Sequence, residues 1–252
     1  MKQTHKQKRY YLLDALRGIA ITGVVVYHFI YDIYCVYGYD AHWAEQLYTR
    51  IWQEGTCFLF IALSGFVAHL GKKSLLRRGL ELNLLGCLIT LLTLICLPSQ
   101  AIWFGILNFM GCAAWFLGLC SKYLTKVTSI CGMLTSLFVF FTCRSLANGI
   151  WGLEGIFAVE VPQNFYAYQE LVPLGFPPAD FTSSDYFPLL PWFGAYTFGY
   201  YLYIFLQERD LLSDWLNFKL PLFSVLGQKS LVIYLGHQPI CLGILALVLG
   251  IP

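Results

Sequence analysis

The twenty residues Leu13–Asp32, LDALRGIAITGVVVYHFIYD, decide how this chain is read. The stretch is long and apolar enough to cross a hydrocarbon core of about 30 Å as one helix. Even so, it holds four ionisable groups, Asp14, Arg17, His28 and Asp32. At about 100° per residue all four project within an arc of about 60°. An ionisable side chain facing lipid is costly, so this face must look into a helix bundle or a wet cavity. Arg17 and His28 stand about 16 Å apart along the axis, so the stripe runs from near the cytoplasmic surface towards the outer leaflet.

The rest of the chain is built for the same solvent. Its 252 residues are 58% hydrophobic, 17% aromatic and 12% charged, whereas soluble domains carry about a quarter charged residues. Hydropathy breaks at polar and Pro/Gly clusters, giving spans at 12–36, 56–70, 80–97, 101–120, 127–143, 189–206 and 222–249 with one long loop at 144–188. The expected fold is all-α, a single polytopic domain over 1–252 with about seven transmembrane helices. Basic residues sort to alternate connections: Lys2, Lys6, Lys8 and Arg9; Lys72, Lys73, Arg77 and Arg78; Lys122 and Lys126; Arg209 and Lys219. The other connections hold Arg50 and Arg144. The positive-inside rule then puts the N-terminus in the cytoplasm. The first span carries Asp14, Arg17, His28 and Asp32 and lacks a small-residue cleavage site, so it reads as a span and not as a cleaved signal. A net charge of +2 without a basic patch excludes a nucleic-acid partner. The nine cysteines show no C-x-x-C pair and no spacing suited to zinc, so no metal is expected.

Candidate chemistry concentrates on the first and last spans. His28 and Asp32 stand at i and i+4, where a carboxylate can accept an imidazole N–H and raise its basicity. That makes a general-base pair, or a pair that only holds helices together. On the last span Ser230, Tyr234 and His237 fall within about 60° of one another, followed by Gln238 and a bending Pro239. Lys229 at its inner end either meets a phosphate or snorkels to lipid headgroups. His42 and Trp43, just beyond the first span, and Trp192, in the PWFGAY run Pro191–Tyr196, are candidates for contact with an acceptor. Ser64 and Asn108 read as helix-bridging groups, and His69 as a solvated residue at the inner interface. The long loop carries Glu154, Glu160, Glu170, Asp180 and Asp185; it either caps a site, touching a cationic or sugar substrate, or seals the bundle.

These residues carry a resemblance. Leu13–Asp32, with Arg17 and His28 in an R-x10-H arrangement, resembles the first core helix of the transmembrane acyltransferases, including the heparan-alpha-glucosaminide N-acetyltransferase family. FLFIALSGFVAHLGKK (Phe58–Lys73) and GQKSLVIYLGHQPI (Gly227–Ile240) are similar to later helices of that family, and the order of the blocks, with FGILNFMG and PWFG between them, resembles its small bacterial members. The resemblance implies a multi-pass protein of a bacterial inner membrane that takes acetyl-CoA from the cytoplasm and acetylates an amine or hydroxyl, usually of a sugar, at the far side. It implies catalysis by His28 with Asp32, and donor binding by Arg17, Lys229, Ser230 and His237. Membrane lipids and a glycan or small-molecule acceptor are its partners, and a homodimer is left open. The animal members carry Asn at the position of His28 and place their proposed catalytic histidine a dozen or so residues further on, beyond the first helix, for which the nearest candidate here is His42, reached only with a shifted alignment.

A competing reading makes the same stripe the proton relay of a coupled transporter or flippase. A seven-helix receptor or retinal protein fits poorly, because the inferred N-terminus is cytoplasmic and Lys229 stands near the end of its helix. Sidedness is open to direct measurement. In a cysteine-free background, single cysteines at 72–78 should label only from the cytoplasm and those at 166–184 only from outside; the reverse pattern would overturn the orientation.

Overall fold

The computed structural model describes residues 10–70, 74–153, 155–212, 216 and 218–250. Lys2, Lys6, Lys8, Arg9, Lys72, Lys73 and Glu154 lie outside the described residues. Helix α1 (Tyr11–Tyr31) continues into a π-helical turn at Asp32–Val36. A 3-10 turn at Ala41–Glu45 leads to α2 (Leu47–Phe66), which a second such turn extends to His69. Next come α3 (Leu75–Cys96), α4 (Ile106–Leu124) and α5 (Ser129–Thr142), then α6 (Leu189–Glu208), α7 (Pro221–Gln228) and α8 (Ser230–Leu249).

Among the described residues, five stretches are helices long and apolar enough to cross a membrane: Tyr11–Val36, Leu47–His69, Leu75–Cys96, Ser129–Asn148 and Ser230–Leu249. The sequence reading expected seven spans. The other two fall on α4 and α6, helices of similar length whose faces are largely covered by protein. Covered faces tolerate Asn108 or the tyrosines of α6, and such residues lower the mean hydropathy. By contrast α3, with only Gly79 and Gly86 buried, turns Leu80, Leu84, Leu88, Leu91 and Ile95 outward, as lipid contact requires.

Two expectations need correction. The stretch 222–249 is not one helix: α7 ends at Gln228 and α8 starts at Ser230, with Lys229 at the break. The second helix starts at Leu47, nine residues before the expected 56, because Arg50 and Glu54 depress hydropathy without interrupting the helix. The all-α description also needs one exception. Within 144–188 an antiparallel ribbon pairs β1 (Ile150–Leu153) with β2 (Phe157–Glu160), register Ile150 with Glu160.

The chain divides into two compact units, Ser64–Leu206 and the remainder. Within Ser64–Leu206, glycines let α3 and α4 approach: a Cβ at Gly86 would meet the Asn108 amide and one at Gly79 the Trp115 ring. Ser136 and Thr197 join α5 to α6 at 2.9 Å, and the Tyr201 hydroxyl donates to the Leu124 carbonyl. The long loop is tied down by backbone bonds from Ser184 to Ala101 and from Phe187 to Phe104. Tyr166 and Tyr186 donate to the carbonyls of Leu146 and Val172, and burial pushes both phenols above their ordinary range. Asp185 faces the first N–H of α4, where a carboxylate suits the helix dipole.

In the other unit α1 packs on α7 backbone to backbone. A Cβ on Gly18 would stand 1.9 Å from the Phe223 carbonyl oxygen, and one on Gly227 1.7 Å from that of Asp14. The Ser224 hydroxyl donates to the Tyr11 carbonyl, and the Leu12 N–H to the Leu216 carbonyl. Gly18→Ala or Gly227→Ala should therefore destabilise the protein by about 1–3 kcal/mol or more. Gly243, with nothing within 4 Å of an added Cβ, is the control. Equal melting temperatures for the three purified variants would refute the close approach.

Candidate active site

The polar stripe of α1 meets the last helix at two levels. At the first, Arg17 lies between Asp14 and Gly18, the residues that touch α7 through Gly227 and Phe223. Lys229 follows two residues after Gly227, exposed, and Ser230 opens α8. At the second, the His28 and His237 rings stand 5.0 Å apart, centroid to centroid, and inclined at 60°. One turn on, the Gln238 amide donates to Asp32 Oδ1 at 2.9 Å. Beyond that, the Tyr37 hydroxyl donates to the Gly250 carbonyl. Both helices therefore run in the same direction, from the cationic level to the histidine level.

Asp32 is the first residue of the π-helical turn and is fully buried. The sequence reading gave its carboxylate to His28. Instead it takes a proton donor from α8, through Gln238. The winding between His28 and Asp32 is ordinary α, with the Asp32 N–H on the His28 carbonyl, and the wider π turn, closed by the Tyr37 N–H on the Asp32 carbonyl, begins only beyond it; the carboxylate turns to α8 because that helix offers an amide N–H at 2.9 Å. His237 is also buried, and its Nδ1 lies 2.6 Å from the Tyr234 carbonyl. Three buried atoms in this cluster have no hydrogen-bond partner among the described residues: Asp32 Oδ2, His237 Nε2 and Gln238 Oε1. Unpaired buried polar atoms are destabilising and mark a place where stability has yielded to another demand.

Aromatic rings wall the histidine level. Tyr27 packs on Trp43 at 5.5 Å, on Trp52 at 5.8 Å and on the edge of His28 at 5.6 Å, while Trp43 stacks on Tyr34. Trp43 is thus buried beside the cluster. His42 turns away: its side chain is 80% exposed and pairs with Glu45 at 3.2 Å. Trp192 belongs to the packing of the other unit, against Phe140 and Phe187. In that unit His69 is not simply solvated but stacked on Tyr200 and Tyr203, at 4.2 and 4.5 Å. Ser64 donates to the Met110 sulfur and Asn108 to the Cys87 sulfur, both helix-bridging contacts.

Of these residues, Trp43 was a sequence candidate, whereas Gln238, Tyr27, Tyr34 and Trp52 were not singled out as site residues from sequence. The signal for Gln238 was present, an amide beside a histidine in an otherwise apolar helix, but its partner is 206 residues away. Among the described residues no group of three or more His, Cys, Asp and Glu side chains is placed to hold a metal ion. If the Gln238–Asp32 bond anchors α8 to α1, Gln238→Leu should lower thermal stability, and adding Asp32→Leu should recover part of the loss. The expected coupling is about 1–3 kcal/mol. Additive effects in the double-mutant cycle would show that the bond contributes nothing.

The family model described as "Heparan-alpha-glucosaminide N-acetyltransferase, catalytic" matches residues 9–239. No curated protein and no solved structure matches the chain.

Proposed function

The chain belongs to the heparan-alpha-glucosaminide N-acetyltransferase catalytic family over residues 9–239, and from that premise we propose that it is a transmembrane acetyltransferase. It takes the acetyl group of acetyl-CoA at the cytoplasmic face of a bacterial inner membrane and delivers it to an amine or hydroxyl of a sugar at the opposite face. The observation that carries this reading is the two-level arrangement of α1 and α8. The histidine level lies about 16 Å along α1 from Arg17 and about 12 Å along α8 from Lys229. An extended pantetheine arm covers most of such a gap, so the phosphates and the thioester can occupy different levels.

Arg17, Lys229 and Ser230 form the donor end. A guanidinium grips phosphate through paired hydrogen bonds, an ammonium acts as a point charge, and both suit a polyanionic donor entering from the cytoplasm. Catalysis falls to the centre of His28, Asp32 and His237. There an imidazole takes the proton of the attacking amine or hydroxyl as it adds to the thioester carbonyl, and the departing thiolate takes that proton back. Trp43, with Tyr27 and Tyr34, shapes the wall of the centre. His42 and Trp192 are each proposed as contacts of the acceptor. Parallel α1 and α8 imply an odd number of crossings, which suits both five and seven spans; with α4 and α6 also crossing, the total is seven.

Purified protein in lipid nanodiscs, assayed with labelled acetyl-CoA and a panel of amino sugars, tests the proposal. His28→Ala should lower acetyl transfer about a hundredfold or more while CoA affinity stays near that of the parent. Arg17→Lys should weaken CoA binding although the charge is kept. Full transfer by His28→Ala would remove that residue from the chemistry. Unchanged CoA affinity in Arg17→Lys would reduce Arg17 to a structural partner of its neighbours on α1.

A further inference from the structure

We infer that His237 is the proton acceptor of this centre and that His28, its ring 5.0 Å away, is the residue that positions it, an assignment that rests on the acetyltransferase reading above. The geometry fixes its tautomer. Nδ1 of His237 lies 2.6 Å from the Tyr234 carbonyl oxygen. A carbonyl can only accept, so Nδ1 carries the hydrogen, and in the neutral ring Nε2 carries the lone pair. That Nε2 is buried without a partner among the described residues. His28, by contrast, has among the described residues no hydrogen bond that would select one of its tautomers; its described contacts are the rings of Tyr27 and His237.

Two further bare atoms, on Gln238, which follows His237 in the chain, and on Asp32, which Gln238 binds, point to what meets Nε2. Gln238 donates through Nε2 to Asp32 Oδ1, which orients the amide and leaves its Oε1 bare. Asp32 Oδ2 is bare as well. With Asp32 ionised, the three unpartnered atoms on Asp32, His237 and Gln238 are all acceptors. Another acceptor, such as the thioester carbonyl, satisfies none of them. A group carrying N–H or O–H satisfies them, and in this reaction that group is the attacking amine or hydroxyl. The nucleophile is therefore held on the α8 side of the centre, its hydrogen directed at His237 Nε2.

The step balances without any further reagent. The nucleophile's lone pair forms the new bond to the acetyl carbon, and its proton passes to His237 Nε2. Collapse of the tetrahedral adduct breaks the carbon–sulfur bond, and the thiolate leaves with that proton, returning His237 to its neutral form. The titratable groups around His237 are His28 from α1 and Tyr234 on α8, whose rings stand 5.0 and 5.5 Å away, Asp32, bonded to the next residue Gln238, and Cys241, one turn further along α8. Among them His237 combines a selected tautomer with a bare nitrogen.

The test uses the full chain in nanodiscs, with acetyl-CoA and an amino-sugar panel headed by glucosamine. His237→Gln should lower kcat for CoA release by about a hundredfold or more, leave the dissociation constant for CoA within about twofold, and abolish the acid limb of the pH profile that the parent shows. His237→Asn, followed by thermal unfolding and gel filtration, guards against a variant that merely fails to fold. Loss of CoA affinity in His237→Gln would return His237 to donor binding and overturn the assignment. So would an acid limb that survives in His237→Gln and disappears in His28→Gln. A readout that needs no turnover is the 15N resonance pattern of His237 near neutral pH, expected for the Nδ1–H tautomer; an Nε2–H pattern, or a ring filled by a bound water alone and unmoved by glucosamine, would also overturn it. A parent protein that neither binds CoA nor releases it with any acceptor would refute the acetyltransferase reading itself, an outcome distinct from all of these.

Discussion

The contact on which the polar architecture depends is the approach of two backbones at Gly18 and Gly227. In lipid there is no hydrophobic drive to press helices together, so association rests on how closely their surfaces can pack. Here the main chain of α7 reaches the main chain of α1 with no side chain between them. That contact sets where α8 begins. Starting from Lys229, the next helix runs alongside α1 and brings His237 to His28 and Gln238 to Asp32. A larger residue at either glycine would displace the histidine level as well as the cationic level, although both glycines stand well away from the imidazoles in sequence.

Burial at the histidine level runs against stability. A fully buried carboxylate holds one amide bond and keeps an oxygen bare, and next to it an imidazole and an amide each leave an acceptor unused. A cluster selected only to join helices would pair these atoms with one another, as Ser136 and Thr197 do in the other unit. The difference between the two arrangements separates a polar contact that packs from one that waits for a partner.

Much of this was legible in the sequence, and the rest was hidden for identifiable reasons. The stripe on α1 could be read because helical periodicity holds from Tyr11 to Tyr31. It still holds as far as Asp32, whose N–H bonds the His28 carbonyl, but periodicity sees one helix at a time and so could not offer the carboxylate the Gln238 amide 206 residues away. Hydropathy found the lipid-facing α3 readily but could not see that 222–249 breaks at Lys229, where no proline marks the end of a helix. It also placed the start of α2 too late. His69 was read as solvated because the two tyrosines that stack on it lie more than a hundred residues further along the chain. Local pattern revealed which residues must avoid lipid, and only the fold revealed what each of them meets instead.

The π-helical turn at Asp32–Val36 has a consequence for how such a protein diversifies. A π turn holds one more residue than the α turn it replaces, and losing that residue restores regular winding. The segment beyond it, which leads to Trp43, would then rotate by about 100° relative to α1. A single-codon deletion could therefore exchange the rings that line the histidines while every residue of α1 and α8 stayed the same. In related chains, the length of this short stretch is thus as informative about acceptor preference as the identity of any side chain within it.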